Sequence, residues 1–237
     1  MSTDPYSNQP AWISGSTAEA EERERAFFRN VYSWMFGGLL LTALAAMWVW
    51  FSPGMQRLIL DQPGVMLMLG VAELGIVFYA SFALRRLSPA AAASLFLVYS
   101  VLNGLFCSAF IFRFTPTSVV QAFAITAGTF GAMSIYGRVT KRDLTSWGSF
   151  LFMGVIGIVL AMVANMFFHS SALTMAISTV AVFIFVGLTA YKTQMLKQWA
   201  HAGGPHGETL AIYGALSLYI TFINLFIHIL SLTGRRR

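Results

Sequence analysis

Seven stretches of 18 or more predominantly apolar residues run through this chain, at 31–51, 65–84, 90–112, 118–136, 147–168, 172–191 and 209–232. At 1.5 Å per residue, each is long enough to cross about 30 Å of hydrocarbon as a helix. Lipid offers the backbone no hydrogen-bonding partner, so a spanning segment must satisfy its own N–H and C=O groups. A β-barrel would show weaker, alternating segments of about ten residues. The pattern therefore predicts an all-α membrane protein of seven transmembrane helices. Only 10% of the 237 residues are charged, against about 25% in a soluble domain. Eight of the nine acidic residues lie outside the apolar runs; Glu73 is the exception.

The connections are short. Leu87-Ser88-Pro89 breaks the second run from the third, Pro116 separates the third from the fourth, and a Gly/Pro loop around Pro205 precedes the last. The expected organisation is a polar tail at 1–26, ending in a short interfacial helix, a seven-helix domain at 27–234, and a basic tail at 235–237. The first 26 residues lack an apolar signal-peptide core, so the first span is expected to act as its own insertion signal.

Lysine and arginine set the orientation. With sides alternating from the N-terminus, ten of the fifteen fall on the first side and five on the second. The N-terminus is therefore expected in the cytoplasm, and a bacterial inner membrane is the expected location. Three of the five dissenters are Arg235, Arg236 and Arg237. Seven crossings would place them outside; an incomplete last crossing would keep them inside.

The net charge of +6 flanks apolar spans, as headgroups and orientation require. No phosphate-cradling glycine motif or basic–aromatic ladder accompanies it, and no nucleic-acid partner is expected. A single cysteine, Cys107, excludes an intramolecular disulfide and a cysteine-rich metal site. His201 and His206 lie in a glycine-rich loop without further ligands, so neither metal nor cofactor is predicted. No aspartate sits within a span, and neither His-Glu-x-x-His nor a G-x-S-x-G around Ser134 is present. Catalysis is not expected. Ala124, Gly128 and Ala132 recur every four residues, and Gly154 with Gly157 offers a second smooth surface. Both predict close helix packing.

Two features place polar groups inside the membrane. Glu73 lies nine residues into its run, near the bilayer centre, where a carboxylate is costly. It is either a neutral, hydrogen-bonded aid to helix association or a proton- or cation-linked site. Ser217, Thr221, Asn224 and His228 are spaced four, three and four apart, which is one continuous helix face. That face must turn from lipid. It either hydrogen-bonds neighbouring helices, at about 0.6 kcal/mol per contact, or lines a pathway. Lys192, by itself, is an ordinary snorkelling lysine at the end of its span.

The segments FFRNVYSWMFGGLLLTALAA, SVVQAFAITAGTFGAMSIYGRVTKRDL, GSFLFMGVIGIVLAMVANMF, VGLTAYKTQ and GALSLYITFINLF resemble the Bax inhibitor-1 family, with 121–144 the most specific. The resemblance implies six helices wrapped around the last. It also implies a calcium or proton leak sensitive to pH, or a modulator of cell death or of membrane-protein quality control, including restraint of a membrane-bound protease. Glu73 resembles the family's acidic residue in the second span, and Arg85 or Arg86 a basic residue at that span's end.

One departure stands out. Family members carry an aspartate in the motif that here reads Tyr191-Lys192-Thr193-Gln194, and a second in the motif ending at Asn224. Two such carboxylates share a proton and act as a pH-sensitive latch. Here the two places hold Lys192 and Thr221, so the shared proton has no home. An ammonium opposes calcium by roughly 8 kcal/mol at 4 Å and an effective dielectric of 20. The expected site is therefore a cation pathway of Glu73, Ser217, Thr221, Asn224 and His228, with Lys192 as gate or barrier. Three arrangements of Lys192 follow: paired with Glu73, snorkelling to the cytoplasmic surface beside an ungated pore, or part of a chain that has kept only a partner-binding role.

Overall fold

The computed structural model describes residues 11–83, 87–202 and 207–236. Eight helices follow in order: α1 (Ala11–Phe51), α2 (Pro53–Leu60), α3 (Pro63–Ala83), α4 (Pro89–Ile111), α5 (Pro116–Val139), α6 (Thr145–Phe168), α7 (Ser171–Ala202) and α8 (Gly207–Thr233). All but α2 are long and apolar enough to cross a membrane, as the seven runs predict. The expected interfacial helix and the first span form one rod, since α1 is continuous from Ala11. The eight-residue α2 has no counterpart in the sequence reading. It bridges two spans and buries Ile59.

Prolines start α2, α3, α4 and α5. The missing N–H is harmless there, because the first helical N–H groups have no intrahelical partner. Ser88 and Thr115 cap α4 and α5, their side chains accepting from the amides of Ala91 and Ser118. His169 ends α6 in the left-handed region at φ 50° and donates its amide to Asn165 O.

Burial separates α8 from the rest. Two thirds of its apolar window is buried, against 11% for α3 and α6. It packs directly on α1, α4, α5 and α7, while α3 lies on α4 and α6 on α7. The helices around α8 thus form two layers, and α8 has little surface left for lipid. Leu218, Tyr219, Thr221 and Leu225 are all fully enclosed.

The Ala124–Gly128–Ala132 stripe does not pack within the chain. All three residues are exposed, and a methyl added to Gly128 would meet nothing. α5 instead buries Ala122, Thr126, Phe130, Ser134 and Gly137. That face is two residues, about 200°, around the helix from the smooth one. The close approaches fall elsewhere. A methyl on Gly137 would overlap the Ala190 carbonyl of α7, and one on Gly104 would overlap Thr42 and Ala45 of α1. Of the second pair, Gly154 sits against Ile184, while Gly157 faces open space.

The two ends of the bundle are tied differently. On the N-terminal face, Glu24 accepts from Arg138 Nε at 2.8 Å and lies 3.5 Å from His201 Nε2. Gln194 donates to Arg142 O and accepts from the Leu144 amide, each at 2.8 Å, holding the α5–α6 turn. On the opposite face, Thr115 N donates to Arg235 O and Arg235 N to Ser118 Oγ, both at 3.0 Å. The C-terminal strand of chain therefore lies at the α4–α5 turn, and the last helix crosses completely. Arg85, Arg86, His206, residues 1–10 and Arg237 lie outside the described residues.

Candidate ion pathway along the last helix

α7 and α8 run antiparallel, so residues ten from the end of one meet residues ten from the start of the other. Lys192 is ten residues before Ala202, and Ser217 ten after Gly207, each about 15 Å along its helix. The Lys192 ammonium donates to Ser217 O at 3.0 Å and to Thr221 Oγ1 at 2.9 Å. Thr221 in turn donates to Ser217 O at 2.9 Å. The lysine does not snorkel to the surface. Its charge rests on the middle of α8, on a carbonyl and a hydroxyl of the central helix.

The pairing of Lys192 with Glu73 does not occur. Glu73 sits on α3 and accepts from Asn103 Nδ2 of α4 at 3.2 Å. Asn103 Oδ1 accepts from Tyr219 OH at 3.1 Å and from Cys107 Sγ at 3.4 Å. Tyr219 OH is hydrogen-bonded to Thr42 of α1, whose hydroxyl also reaches Ser100 O and Gly38 O, both at 2.9 Å. Tyr219 and Thr221 are two residues apart, hence about 200° around α8. The carboxylate network therefore meets one side of the helix and the ammonium the other, at about the same depth. The second carboxylate oxygen, Glu73 Oε1, is buried with no partner.

The remaining face residues divide. Asn224 donates back to Ile220 O at 2.8 Å. His228 Nδ1 lies 3.3 Å from Ser178 Oγ and its ring stacks on Phe185 at 5.9 Å. Both partners of His228 are on α7, like Lys192. Ser217, Thr221 and His228 thus form a seam between α7 and α8, while Asn224 is satisfied within α8. Ser217 contributes its carbonyl to Lys192. Ser134 Oγ accepts from Thr193 Oγ1 at 3.4 Å. Among the described residues, no three His, Cys, Asp or Glu side chains converge as metal ligands.

Sequence reasoning missed Thr42, Asn103 and Tyr219. A signal for one was available: Ser100, Asn103 and Cys107 recur three and four residues apart within an apolar span, a polar face like that of α8. Thr42 and Tyr219 carry no such mark, since each is one polar group among apolar neighbours.

A ring of apolar helices enclosing one central helix with charged groups at mid-depth defines a polytopic membrane protein with a polar core. The chain matches the family described as "Inhibitor of apoptosis-promoting Bax1" over residues 24–237, and it belongs to that family. It is 40% identical to the inner membrane protein YbhL of Escherichia coli K12, over 94% of this chain and 97% of YbhL. A protein of Deinococcus radiodurans is 43% identical over 91% of this chain and 93% of its own length. A membrane protein of Streptococcus pyogenes serotype M1 is 40% identical over 88% and 92%. The chain is a multi-pass membrane protein of the same kind as YbhL.

Proposed function

We propose that this chain is a scaffold for passive passage of cations, calcium or protons, along α8, acting without catalysis, and that Lys192 holds it shut. The observation that carries this reading is the ammonium bonded to Ser217 O and Thr221 Oγ1 at mid-depth. A positive charge held there opposes a divalent ion by roughly 8 kcal/mol at 4 Å. Glu73, on the other side of α8, does not bond to it. No carboxylate pair shares a proton at this level, so the pH-sensitive latch implied for the family has no counterpart in Lys192 and Thr221. The excess of basic residues on the N-terminal side supports a cytoplasmic N-terminus.

The test is calcium flux into proteoliposomes at pH 6 and pH 8. The parent is expected to be silent, Lys192→Ala to leak at both pH values, and Lys192→Asp/Thr221→Asp to leak with a pH dependence. A parent that conducts as well as Lys192→Ala removes the gate. Silence of all three removes calcium as the ion.

A second reading, restraint of a membrane-bound protease or stress-response partner, has one supporting observation. The 41 residues of α1 extend about 60 Å, twice the hydrocarbon thickness, and its residues 21–23 are exposed before Glu24 ties the helix to the bundle. Deleting residues 1–22 should then abolish partner co-purification while leaving the fold intact.

A further inference from the structure

α1 and α5 both pack on α8 but barely meet each other. Between them lies a groove of about 460 Å³, walled by Met35, Phe36 and Leu39 of α1 and by Ala127, Gly131 and Ile135 of α5, with Phe222 of α8 as its floor. Its length and position are informative. From Ala127 to Arg138 is eleven residues of α5, about 16 Å, close to half the hydrocarbon thickness. The groove starts at the N-terminal face and ends near the bilayer centre. It is open to the surrounding lipid along its side, and its volume is that of a small-molecule site.

Its mouth carries a guanidinium beside a carboxylate. Arg138 lines it and is fixed from two directions: Nε donates to Glu24 at 2.8 Å, and the guanidinium lies 4.6 Å over the Phe28 ring. Among the described residues only Nε is hydrogen-bonded, and the side chain is 37% exposed, so the terminal NH2 groups keep their donors for an outside acceptor. Lys141 and Arg142 follow in the turn just past the end of α5. A guanidinium at headgroup level, above an apolar slot one leaflet deep, matches a phosphate joined to an acyl chain.

We propose that the α1–α5 groove is a binding site for one anionic phospholipid of the leaflet at the N-terminal face, with an acyl chain against Phe222 and the phosphate on Arg138. A second copy of this chain would bring both signs of charge to the mouth, among them the exposed Glu19, Glu21 and Glu22, rather than a phosphate joined to an acyl chain. This inference does not depend on whether the bundle conducts ions.

Gly131 gives a clean probe. A methyl there meets nothing within 4 Å, and a larger side chain would enter the groove that Gly131 lines. Gly128 is equally unobstructed but faces outward, so Gly128→Leu is a matched control for bulk and helix propensity. The full-length protein, stripped of lipid in detergent, would be titrated with phosphatidylglycerol or phosphatidylcholine and its adducts counted by native mass spectrometry. One phosphatidylglycerol should bind tightly to the parent and to Gly128→Leu, at least fivefold better than phosphatidylcholine. Gly131→Leu should weaken that adduct tenfold or more. Arg138→Gln should erase the headgroup preference while an adduct remains. Several weak adducts unchanged by Gly131→Leu would mean annular lipid only and overturn the site. Equal binding of the two lipids by the parent would overturn the anionic occupant. A protein dimer lost in Gly131→Leu would assign the groove to a second copy instead.

Discussion

Replacing Lys192 with methionine should cost this protein little or nothing, whereas replacing its partner Thr221 with valine should destabilise it. The ammonium has two acceptors, Ser217 O and Thr221 Oγ1. Methionine is nearly isosteric and carries no charge. Once the ammonium is gone, Ser217 O still accepts from the Thr221 hydroxyl at 2.9 Å, so no acceptor is orphaned. The two lost bonds are worth about 1 kcal/mol each, and removing a buried charge in favour of a packed apolar side chain returns about 1–4 kcal/mol. The balance runs from about 1 kcal/mol destabilising to about 2 kcal/mol stabilising. Thr221→Val is different, because the charge stays and keeps only one acceptor, at a cost of about 1–3 kcal/mol. Thermal unfolding in one fixed detergent reads both. With Tm moving about 2–4 °C per kcal/mol at this size, Lys192→Met should shift Tm by between about −4 and +8 °C, and Thr221→Val should lower it by about 2–12 °C. The double variant decides the mechanism: Thr221→Val should cost under about 0.5 kcal/mol in the methionine background. A fall of more than about 4 °C in Lys192→Met, or an equal cost of Thr221→Val in both backgrounds, would refute the reasoning.

Two further outcomes follow from single contacts. Gly137→Ala should lower Tm by several degrees, because the new methyl meets the backbone of Ala190, which cannot swing aside, and overpacking of this kind costs about 1–3 kcal/mol. Gly128→Ala, in open space, should be neutral or gain up to about 1 kcal/mol from helix propensity. Asp143, at the α5–α6 turn outside the spans, accepts from the Thr145 amide at 2.8 Å, and hydrogen bonding from the Thr145 side chain, then from this amide, holds its carboxyl below the usual carboxylate range. A depressed folded value means the contact contributes at neutral pH and is lost as pH falls through that value. Start-of-α6 amide protection in hydrogen exchange should therefore drop on acidification in the parent and be pH-independent over that range in Asp143→Asn.

The seven spans were legible because the hydrocarbon core imposes a length and a composition that little else requires. The breaks at Pro89 and Pro116 were legible for a similarly local reason, the missing proline N–H. The polar face of α8 was legible in outline, since a stripe at helical spacing must avoid lipid. Which neighbour it met was not, because Ser217, Thr221 and His228 carry no mark that names α7. The smooth stripe of α5 misled for the same reason: Ala124–Gly128–Ala132 and Ala122–Thr126–Phe130 share a four-residue spacing, and spacing alone does not say which face turns inward. The short α2 was missed because eight residues between two spans fall below any length signal.

By itself, then, the chain determined what lipid and backbone dictate locally: the number of crossings, their helical form, and the residues that cannot face hydrocarbon. Only the tertiary structure decided the partners of those residues. Lys192 and Glu73 are opposite charges at similar depth, and nothing in their spacing forbids an ion pair. They stay apart because α8 stands between them, offering Thr221 to one side and Tyr219 to the other, and contact between distant residues is set by how whole helices pack.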